Sequence, residues 1–287
     1  MLRYRLITGP ILVAVVIALA WADDAATGRG SIPPWLVTGI AGLVISVLAS
    51  IETSRLLAAG GVAASVPLSI AAAAASFAAT LFLADAGPAA GAVEASVLLA
   101  IVAAGLVRFS RGHVVKGVTV ATAGLVLVAI YAGALIAFWP LLRIERGPWF
   151  LLGAILLVKS SDIGAYAVGM TIGRHKLIPW LSPGKTREGL AGGVATAALV
   201  GAGLAALTPV GDSIAAIPLW LGAVAGAVAA LTGQAGDLAE SLLKRDAGVK
   251  DSGAILPGMG GILDVVDSLL FAGPALYWLF RLAAPVG

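Results

Sequence analysis

Long apolar segments dominate this sequence, and they constrain its fold more than any other feature. Nine runs approach the length of roughly 20 mostly apolar residues that a helix needs to cross a bilayer. They are too long, and alternate too little, for the strands of a membrane β-barrel. The sequence therefore predicts an all-α polytopic integral membrane protein with about nine transmembrane helices, near residues 6–21, 33–51, 62–84, 91–107, 115–139, 149–170, 188–208, 215–233 and 262–284.

The composition agrees with a membrane protein and excludes several classes of function. Of the 287 residues, 60% are hydrophobic and only 11% are charged, whereas a soluble domain has about 25% charged residues. The basic residues are scattered through apolar sequence rather than clustered with aromatic ones, so we expect no nucleic-acid partner. The chain contains no cysteine, which excludes thiolate metal sites and cysteine nucleophiles.

The first apolar segment allows two interpretations. Arg3 and Arg5 precede an apolar run that contains Ala18-Leu19-Ala20 near its end, a pattern that also fits a cleaved signal peptide. We favour an uncleaved first helix, as is common in polytopic proteins.

The distribution of lysine and arginine predicts the orientation of the chain. With the N-terminus inside and nine spans, the outer segments contain only four of the 18 basic residues, and Lys159 lies within a span. Basic residues accumulate in cytoplasmic loops. We therefore expect a multi-pass protein of the inner (plasma) membrane with its N-terminus and long polar loops in the cytoplasm, the outer basic residues being Arg29, Arg143, Arg146 and Arg281.

The chain divides into two regions by chemistry. Residues 1–148 contain hydrophobic helices and short loops, whereas residues 149–287 also contain two long polar insertions on the predicted cytoplasmic side. The insertions are Thr171–Gly189 and Gln234–Gly261. Because function tends to reside in such loops, we expect the C-terminal region to be the catalytic one.

Ionisable residues interrupt the sixth span. Charged side chains such as Lys159 and Asp162 raise the free energy of a helix inserted in the bilayer, so they should face a cavity or a partner. Their i,i+3 spacing would allow them simply to neutralise each other. Asp162 and Tyr166 are also one turn apart, and we favour the hypothesis that they look into a polar cavity that forms part of a site.

The segment Ser182–Gly189 has the composition of a phosphate-binding turn. Pro183 and Gly184 predict a turn just before a helix begins. Lys185, Thr186 and Arg187 would then place two cations and a hydroxyl beside free backbone N–H groups. For the nearby Arg174–Lys176 cluster, anchoring to lipid headgroups is an equally simple interpretation.

A polar stripe follows the eighth span. Helical spacing puts Asp237, Glu240 or Ser241, and Lys244 on one face at the edge of the membrane. Glu240 and Lys244 could form an ordinary i,i+4 ion pair. That pairing does not explain Asp237, which ends the apolar run.

A glycine-rich turn, Leu256–Gly261, precedes the last span. Asp264 and Asp267 then lie on one face of the helix, with no cation spaced to pair with them. Two such carboxylates predict a Mg²⁺ site shared with substrate phosphates. Stabilisation of the helix dipole by acidic residues is the alternative. The residues alone thus indicate a membrane enzyme or transporter that handles a phosphate-bearing substrate.

The order of these residues resembles the signature of the phosphatidate cytidylyltransferases, also called CDP-diacylglycerol synthases. The resemblance covers roughly residues 150–285. Two short motifs carry it, Asp162 to Gly169 and Ser182 to Gly189. A longer motif begins at Ser241 and continues through Lys244-Arg245, Lys250-Asp251 and Leu256–Gly261 to Asp264 and Asp267. It implies transfer of a cytidylyl group from CTP to phosphatidate, which yields CDP-diacylglycerol and pyrophosphate for phospholipid synthesis. It also suggests a homodimer within the lipid bilayer.

The resemblance further implies roles for individual residues. By motif position, Mg²⁺, with room for a second metal ion, would be held by Asp237 and Asp264. Catalytic roles would fall to Lys244, Arg245, Lys250, Asp251 and Asp267. Substrate-binding roles would fall to Asp162, Tyr166, Ser182, Lys185, Thr186, Glu188, Ser241, Gly258, Gly260 and Gly261.

Two positions depart from the family pattern. Met259 stands where the family has a histidine, and Val265 stands where it has an arginine. We expect these changes to tune substrate contacts, because the carboxylates and lysines are all retained. The alternatives are a CTP-dependent lipid kinase, a cytidylyltransferase for another lipid phosphate, and a transporter of a phosphate-bearing solute.

Overall fold

The computed structural model describes residues 2–83, 88–111, 115–207 and 217–284. Almost all of this part is helical. The helices are α1 (Leu2–Gly28), α2 (Leu36–Ala59), α3 (Val66–Leu83), α4 (Pro88–Phe109), α5 (Val118–Val128), α6 (Leu135–Arg146), α7 (Pro148–Ile172), α8 (Arg187–Leu207), α9 (Leu219–Asp246) and α10 (Leu263–Ala283). A π-helical stretch, Ala129–Ala134, joins α5 to α6, and two short strands, β1 (Lys176–Ile178) and β2 (Ser182–Thr186), lie between α7 and α8.

The helices confirm an all-α, multi-pass membrane protein. Within the described ranges, eight helical segments are long and apolar enough to cross a membrane, and Val66–Phe82 is a shorter apolar helix. Each predicted span coincides with one helical segment, and the fifth corresponds to α5, the π-helical stretch and α6 together. The orientation of the chain in the membrane stays a prediction.

Two sequence-based expectations about the loops are wrong. The second polar insertion, Gln234–Gly261, is not a loop along its whole length, because α9 continues to Asp246. The alanine, leucine, glutamate, lysine and arginine residues there are strong helix formers, which explains the extension. Arg143 and Arg146 lie in the last turn of α6 rather than in the loop after the fifth span, and both are only 4% exposed. Their position on the outer side of the membrane stays a prediction.

The first compact unit combines the described residues of Met1–Leu19, Ala25–Leu141 and Leu243–Val266. In this unit α3 packs against α2, α4 and the π-helical stretch. The backbones of α3 and the π-helical stretch approach closely, because a side chain at Gly133 would collide with the carbonyl of Ala73. The segment Leu243–Val266, which the sequence placed with the C-terminal region, belongs to this unit.

The second compact unit combines the described residues of Ala20–Asp24, Leu142–Leu242 and Asp267–Gly287. Here α7 packs along α8, and small residues let α8 approach α9. A side chain at Gly201 would collide with the carbonyl of Gly222, and one at Gly226 would collide with Ala197. Such backbone contacts are typical of helices packed in a membrane.

Candidate active site

Asp264 is the centre of a hydrogen-bonded cluster in the first unit. It lies in the first turn of α10, and its Oδ1 is 2.7 Å from Lys244 Nζ. Its Oδ2 accepts hydrogen bonds from the backbone N–H and the hydroxyl of Ser252, both at 2.8 Å, and from Gly261 N–H at 2.7 Å. The prediction that no cation pairs with this carboxylate is wrong, because Lys244 does so from 20 residues away.

A second carboxylate, Glu52 of α2, completes this cluster. Its side chain is buried, and it accepts hydrogen bonds from Ser252 Oγ at 2.9 Å, Ile262 N at 3.0 Å and Leu263 N at 2.9 Å. Helix N-termini leave backbone N–H groups without intrahelical acceptors. Glu52 satisfies two of them at the start of α10 and brings a negative charge to the positive end of the helix dipole. We call these residues the Asp264 cluster: Glu52, Lys244, Ser252, Gly261 and Asp264.

The structure of this cluster explains why the predicted ligand-binding turn contains glycines. Leu256 and Gly260 exchange backbone hydrogen bonds, which closes the turn. Gly260 has a φ of 97°, a conformation that favours glycine. A side chain at Gly261 would collide with Glu52 and Ser252. Gly258 lies in the same turn. The roles toward substrate that were predicted for Gly258, Gly260 and Gly261 stay predictions.

Asp237 anchors a second cluster, in the second unit. Lys185 Nζ lies 2.7 Å from Asp237 Oδ2, and the Ser241 hydroxyl is 3.4 Å from Oδ1. The helical stripe predicted for α9 therefore does join Asp237 and Ser241. Glu240 on the same helix is fully buried.

Four further residues on α7 and α10 extend this cluster. Lys159 Nζ lies 3.4 Å from Asp162 Oδ2 and 3.0 Å from Ser268 Oγ. Ser268 N–H donates to Asp267 Oδ1 at 2.5 Å. The charge of Asp267 is repelled by those of Asp237 and Asp162 and attracted by that of Lys159. We call this set the Asp267 cluster: Lys159, Asp162, Lys185, Asp237, Ser241, Asp267 and Ser268.

A β-hairpin that the sequence did not predict positions Lys185. Strands β1 and β2 pair antiparallel, with Lys176 opposite Thr186 and Ile178 opposite Ser182. Lys185 is the penultimate residue of β2, so the hairpin fixes where its side chain begins. The expected turn at Pro183 and Gly184 is wrong, since both lie within β2.

Thr186 and Glu188 hold the junction between the hairpin and α8. The Thr186 hydroxyl accepts a hydrogen bond from Gly189 N–H at 3.0 Å, and it thereby caps the N-terminus of α8. The Glu188 carboxylate accepts hydrogen bonds from the backbone N–H groups of Arg174 and His175, and it lies 2.5 Å from His175 Nδ1. Both side chains therefore have local structural partners beside their predicted roles toward substrate.

Other predicted residues lie at the surface. Tyr166 is 68% exposed, which does not match the enclosed polar cavity expected for it beside Asp162. Arg245, Lys250 and Asp251 are exposed, the first near the end of α9 and the others in the loop that leads to α10.

The described residues do not contain a ready-made cage for a metal. No group of three or more histidine, aspartate or glutamate side chains in them is arranged to hold an ion. Mg²⁺ does not require one, because it is commonly bound by one or two carboxylates together with water and substrate phosphates. Asp237 and Asp267, whose charges repel each other, fit that requirement. Asp264 is bound more tightly, because its two oxygens have four partners at 2.7–2.8 Å, whereas Asp237 has one partner at 2.7 Å and one at 3.4 Å.

Comparison with known proteins identifies the family. The sequence profile of the cytidylyltransferase family matches residues 3–283, almost the whole chain. The chain belongs to the cytidylyltransferase family. The resemblance that its motifs indicate is thereby confirmed at the level of the family.

Three relatives illustrate the similarity. The phosphatidate cytidylyltransferase of Bacillus subtilis (strain 168) is 42% identical over 161 residues, which are 54% of this chain and 57% of the relative. That of Staphylococcus saprophyticus is 46% identical over 132 residues, 46% of this chain and 49% of the relative. The uncharacterized protein YnbB of Escherichia coli (strain K12) is 38% identical over 153 residues, 53% of this chain and 49% of the relative. The matched region thus spans about half the length of these relatives.

Sequence reasoning missed Ser252, Ser268 and, most importantly, Glu52. It is the only acidic residue in α2, an otherwise apolar helix. The rule that drew attention to Lys159 and Asp162, that an ionisable group at membrane depth has a partner or a function, applies equally to Glu52. What the sequence could not give is its partner, because Ser252 lies 200 residues further along the chain.

Proposed function

We propose that this protein transfers the cytidylyl group of CTP to phosphatidate and produces CDP-diacylglycerol and pyrophosphate. The observation that carries the proposal is the Asp267 cluster in a member of the cytidylyltransferase family. In this cluster three carboxylates, on α7, α9 and α10, converge with two lysines, one on α7 and one on β2. The names of the Bacillus and Staphylococcus relatives support phosphatidate as the acceptor.

In the proposed reaction, a phosphatidate oxygen attacks the α-phosphorus of CTP. A new P–O bond forms there while the bond to the β-phosphate oxygen breaks, and the electron pair leaves with pyrophosphate. The phosphate of phosphatidate is already ionised at neutral pH, so the reaction needs no strong general base. It needs positioning and neutralisation of charge.

The lysines are the residues suited to that neutralisation. In the second unit, Lys185 is held by Asp237 and Lys159 by Asp162. In the first unit, Lys244 is held by Asp264, and Arg245 and Lys250 are exposed. The cations of Lys159 and Lys185 would bind the triphosphate and the leaving pyrophosphate. The catalytic roles expected for Lys244, Arg245 and Lys250 by resemblance stay predictions. The carboxylates orient the lysines until the nucleotide arrives.

Asp237 and Asp267 would hold Mg²⁺ in this proposal, with Asp162 near them. When bound, the ion would neutralise the phosphate oxygens and stabilise the charge that develops on pyrophosphate. Asp264, the other ligand expected from motif position, belongs to the first unit, where its Oδ1 pairs with Lys244. Its role as a metal ligand stays a prediction. A second metal ion and a homodimer remain part of the proposal on resemblance alone.

The location follows from the same chemistry. A water-soluble nucleotide and a lipid headgroup meet only at the membrane surface. The positive-inside distribution of lysine and arginine supports the cytoplasmic face of a bacterial inner membrane.

Pyrophosphate release tests the proposal. The purified chain in detergent micelles with CTP, phosphatidate and Mg²⁺ should release pyrophosphate and form a product with the mass of CDP-diacylglycerol. Chelation of the metal should stop the reaction. Asp267→Asn should abolish it, whereas Asp246→Asn, a matched change at the exposed end of α9, should not.

Other outcomes would identify the alternatives. Release of CDP with a phosphorylated lipid would indicate a lipid kinase. Flux of a phosphate-bearing solute into sealed vesicles without nucleotide turnover would indicate a transporter. A wild-type protein that is silent with phosphatidate but active with another lipid phosphate would change the acceptor.

A further inference from the structure

The second unit contains a cavity that the proposed chemistry does not use. Its volume is about 400 Å³, within the range of small-molecule and lipid sites. Its walls come from α7, α8, α9 and α10 and are mostly apolar, including Phe150, Leu157, Leu204, Ala225 and Phe280.

The cavity and the Asp267 cluster lie toward opposite ends of α9 and α10, whereas on α7 the cavity extends from Pro148 to Leu157, two residues before Lys159. On α9, Gly222 lines the cavity and Asp237 belongs to the cluster, and on α10 the corresponding residues are Phe280 and Asp267. At 1.5 Å per helical residue these pairs are about 20 Å apart. That separation is a large part of the roughly 30 Å hydrocarbon thickness. The end of the cavity at Arg146, which donates to the carbonyls of Phe280 and Ala284, therefore lies at the end of α10 away from Asp267.

A buried arginine is the main polar group of the cavity. Arg146 is 4% exposed, and its Nη2 donates hydrogen bonds to the carbonyls of Phe280 and Ala284. Its Nε and Nη1 have no hydrogen-bond acceptor in the described part of the chain. The guanidinium lies 5.9 Å from the ring centre of Phe150 and 6.0 Å from that of Phe280. A buried cation with two unused N–H directions favours an anionic ligand.

The start of α7 adds to this positive potential. Gly147, Pro148 and Trp149 line the cavity together with Arg146, so the N-terminal end of a 25-residue helix forms part of its wall. The exposed N–H groups and the dipole of a helix N-terminus also favour an anion.

The neighbouring acidic residues have other partners. Asp24, which also lines the cavity, accepts a hydrogen bond from Trp149 Nε1 at 2.9 Å. Glu145 pairs with Arg281 at 2.9 Å and accepts a hydrogen bond from Tyr277. Of the charged residues in the described lining, Arg146 is the one with unused N–H groups, so it is the residue that can donate to a headgroup.

We propose that this cavity binds an anionic phospholipid. One acyl chain lies along the apolar wall formed by α7, α8 and α9, and the phosphate accepts hydrogen bonds from Arg146 at the start of α7. An acyl chain is the occupant that the surroundings favour, because the walls are apolar faces of membrane-spanning helices and lipid is their solvent. The bound molecule is a lipid of the membrane leaflet opposite to the Asp267 cluster.

Photo-crosslinking in lipid nanodiscs tests this site. The full chain is reconstituted with phosphatidylglycerol that carries a diazirine in one acyl chain, irradiated and digested. We expect labelled peptides from 148–157 and 201–205. The variant Gly153→Phe should abolish that labelling, because Gly153 lines the cavity and a side chain there meets only Leu204.

The matched control is Gly203→Phe, which places the same side chain on the same unit in open space. It should leave the labelling unchanged. Equal labelling of both variants would overturn the proposal, since the lipid would then be sampling the outside of the helices. Crosslinks in these peptides to a second copy of the chain instead of to lipid would also overturn it.

Headgroup selectivity tests the role of Arg146. The variant Arg146→Gln should weaken phosphatidylglycerol binding about tenfold, because it removes a charge-assisted hydrogen bond. The labelling by a diazirine diacylglycerol should not change. Equal labelling of the wild type by phosphatidylcholine and phosphatidylglycerol would refute selection for an anion. If Arg146→Gln does not fold, the comparison of Gly153→Phe with Gly203→Phe and the headgroup comparison in the wild type still decide the question.

Discussion

The buried carboxylate of Glu52 offers the sharpest test of how the Asp264 cluster is held together. The perturbation is Glu52→Gln, which keeps the shape of the side chain but replaces one oxygen by an NH₂ group. Glu52 accepts three hydrogen bonds, one on Oε1 from Ile262 N–H and two on Oε2 from Leu263 N–H and the Ser252 hydroxyl. The glutamine amide can be oriented in two ways. In the more favourable one, its oxygen keeps the two hydrogen bonds from Leu263 N–H and the Ser252 hydroxyl, and its NH₂ group faces Ile262 N–H.

The magnitude follows from those three bonds. A buried N–H group left without an acceptor costs about 1–3 kcal/mol, and hydrogen bonds to a neutral oxygen are about half as strong as those to a charged one. The N-terminus of α10 should therefore lose about 3 kcal/mol of local stability. At 1.4 kcal/mol per factor of ten, this raises the opening equilibrium of that helix turn about a hundredfold.

Hydrogen–deuterium exchange measures this effect where it arises. Peptides that contain the amides of Ile262 and Leu263 should exchange much faster in Glu52→Gln than in the wild type. Glu94→Gln, the same change at an exposed position of α4, is the control and should leave these peptides unchanged. If Glu52→Gln folds and the exchange of these amides does not change, the assignment of Glu52 as the cap of α10 is wrong.

Further predictions concern a close contact and a helix cap. Gly261→Ala should strongly destabilise the protein in a detergent thermal-unfolding assay, because the new methyl group would collide with the Glu52 carboxylate. The control Gly203→Ala adds a methyl group in open space and should have no effect. A Gly261→Ala protein as stable as the wild type would contradict the packing described. Thr186→Val should lower stability by about 1 kcal/mol, since it removes the hydroxyl that accepts from Gly189 N–H. An unchanged unfolding temperature of that variant would show that the hydroxyl does not cap α8.

The transmembrane helices could be predicted well from the sequence, but their ends could not. An apolar run of sufficient length specifies a spanning helix because the transfer of its side chains out of water depends only on the segment itself. The end of α9 shows the limit of this rule. The polar residues that follow the apolar run continue the helix to Asp246, and hydropathy gives no signal for a helix that extends beyond the membrane.

The candidate site could be predicted in part. Spacing along a helix correctly linked Asp237 to Ser241 and Lys159 to Asp162, because partners three or four residues apart meet on any helix. The pairs Lys185–Asp237 and Lys244–Asp264 join different elements, so no helical period predicts them. The hairpin was missed because its strands have only three and five residues.

The sequence by itself determined that this protein belongs in a membrane, and its ordered motifs identified its family and the residues worth testing. These properties depend on composition and residue order, which are local to the chain. The tertiary structure decided which charges pair, that Glu52 holds the start of α10, and that Arg146 lines an apolar cavity. The physical reason is that a hydrogen bond or a direct ion pair forms only when its two polar atoms are about 3 Å apart. Their partners are therefore set by helix packing between residues far apart in the chain.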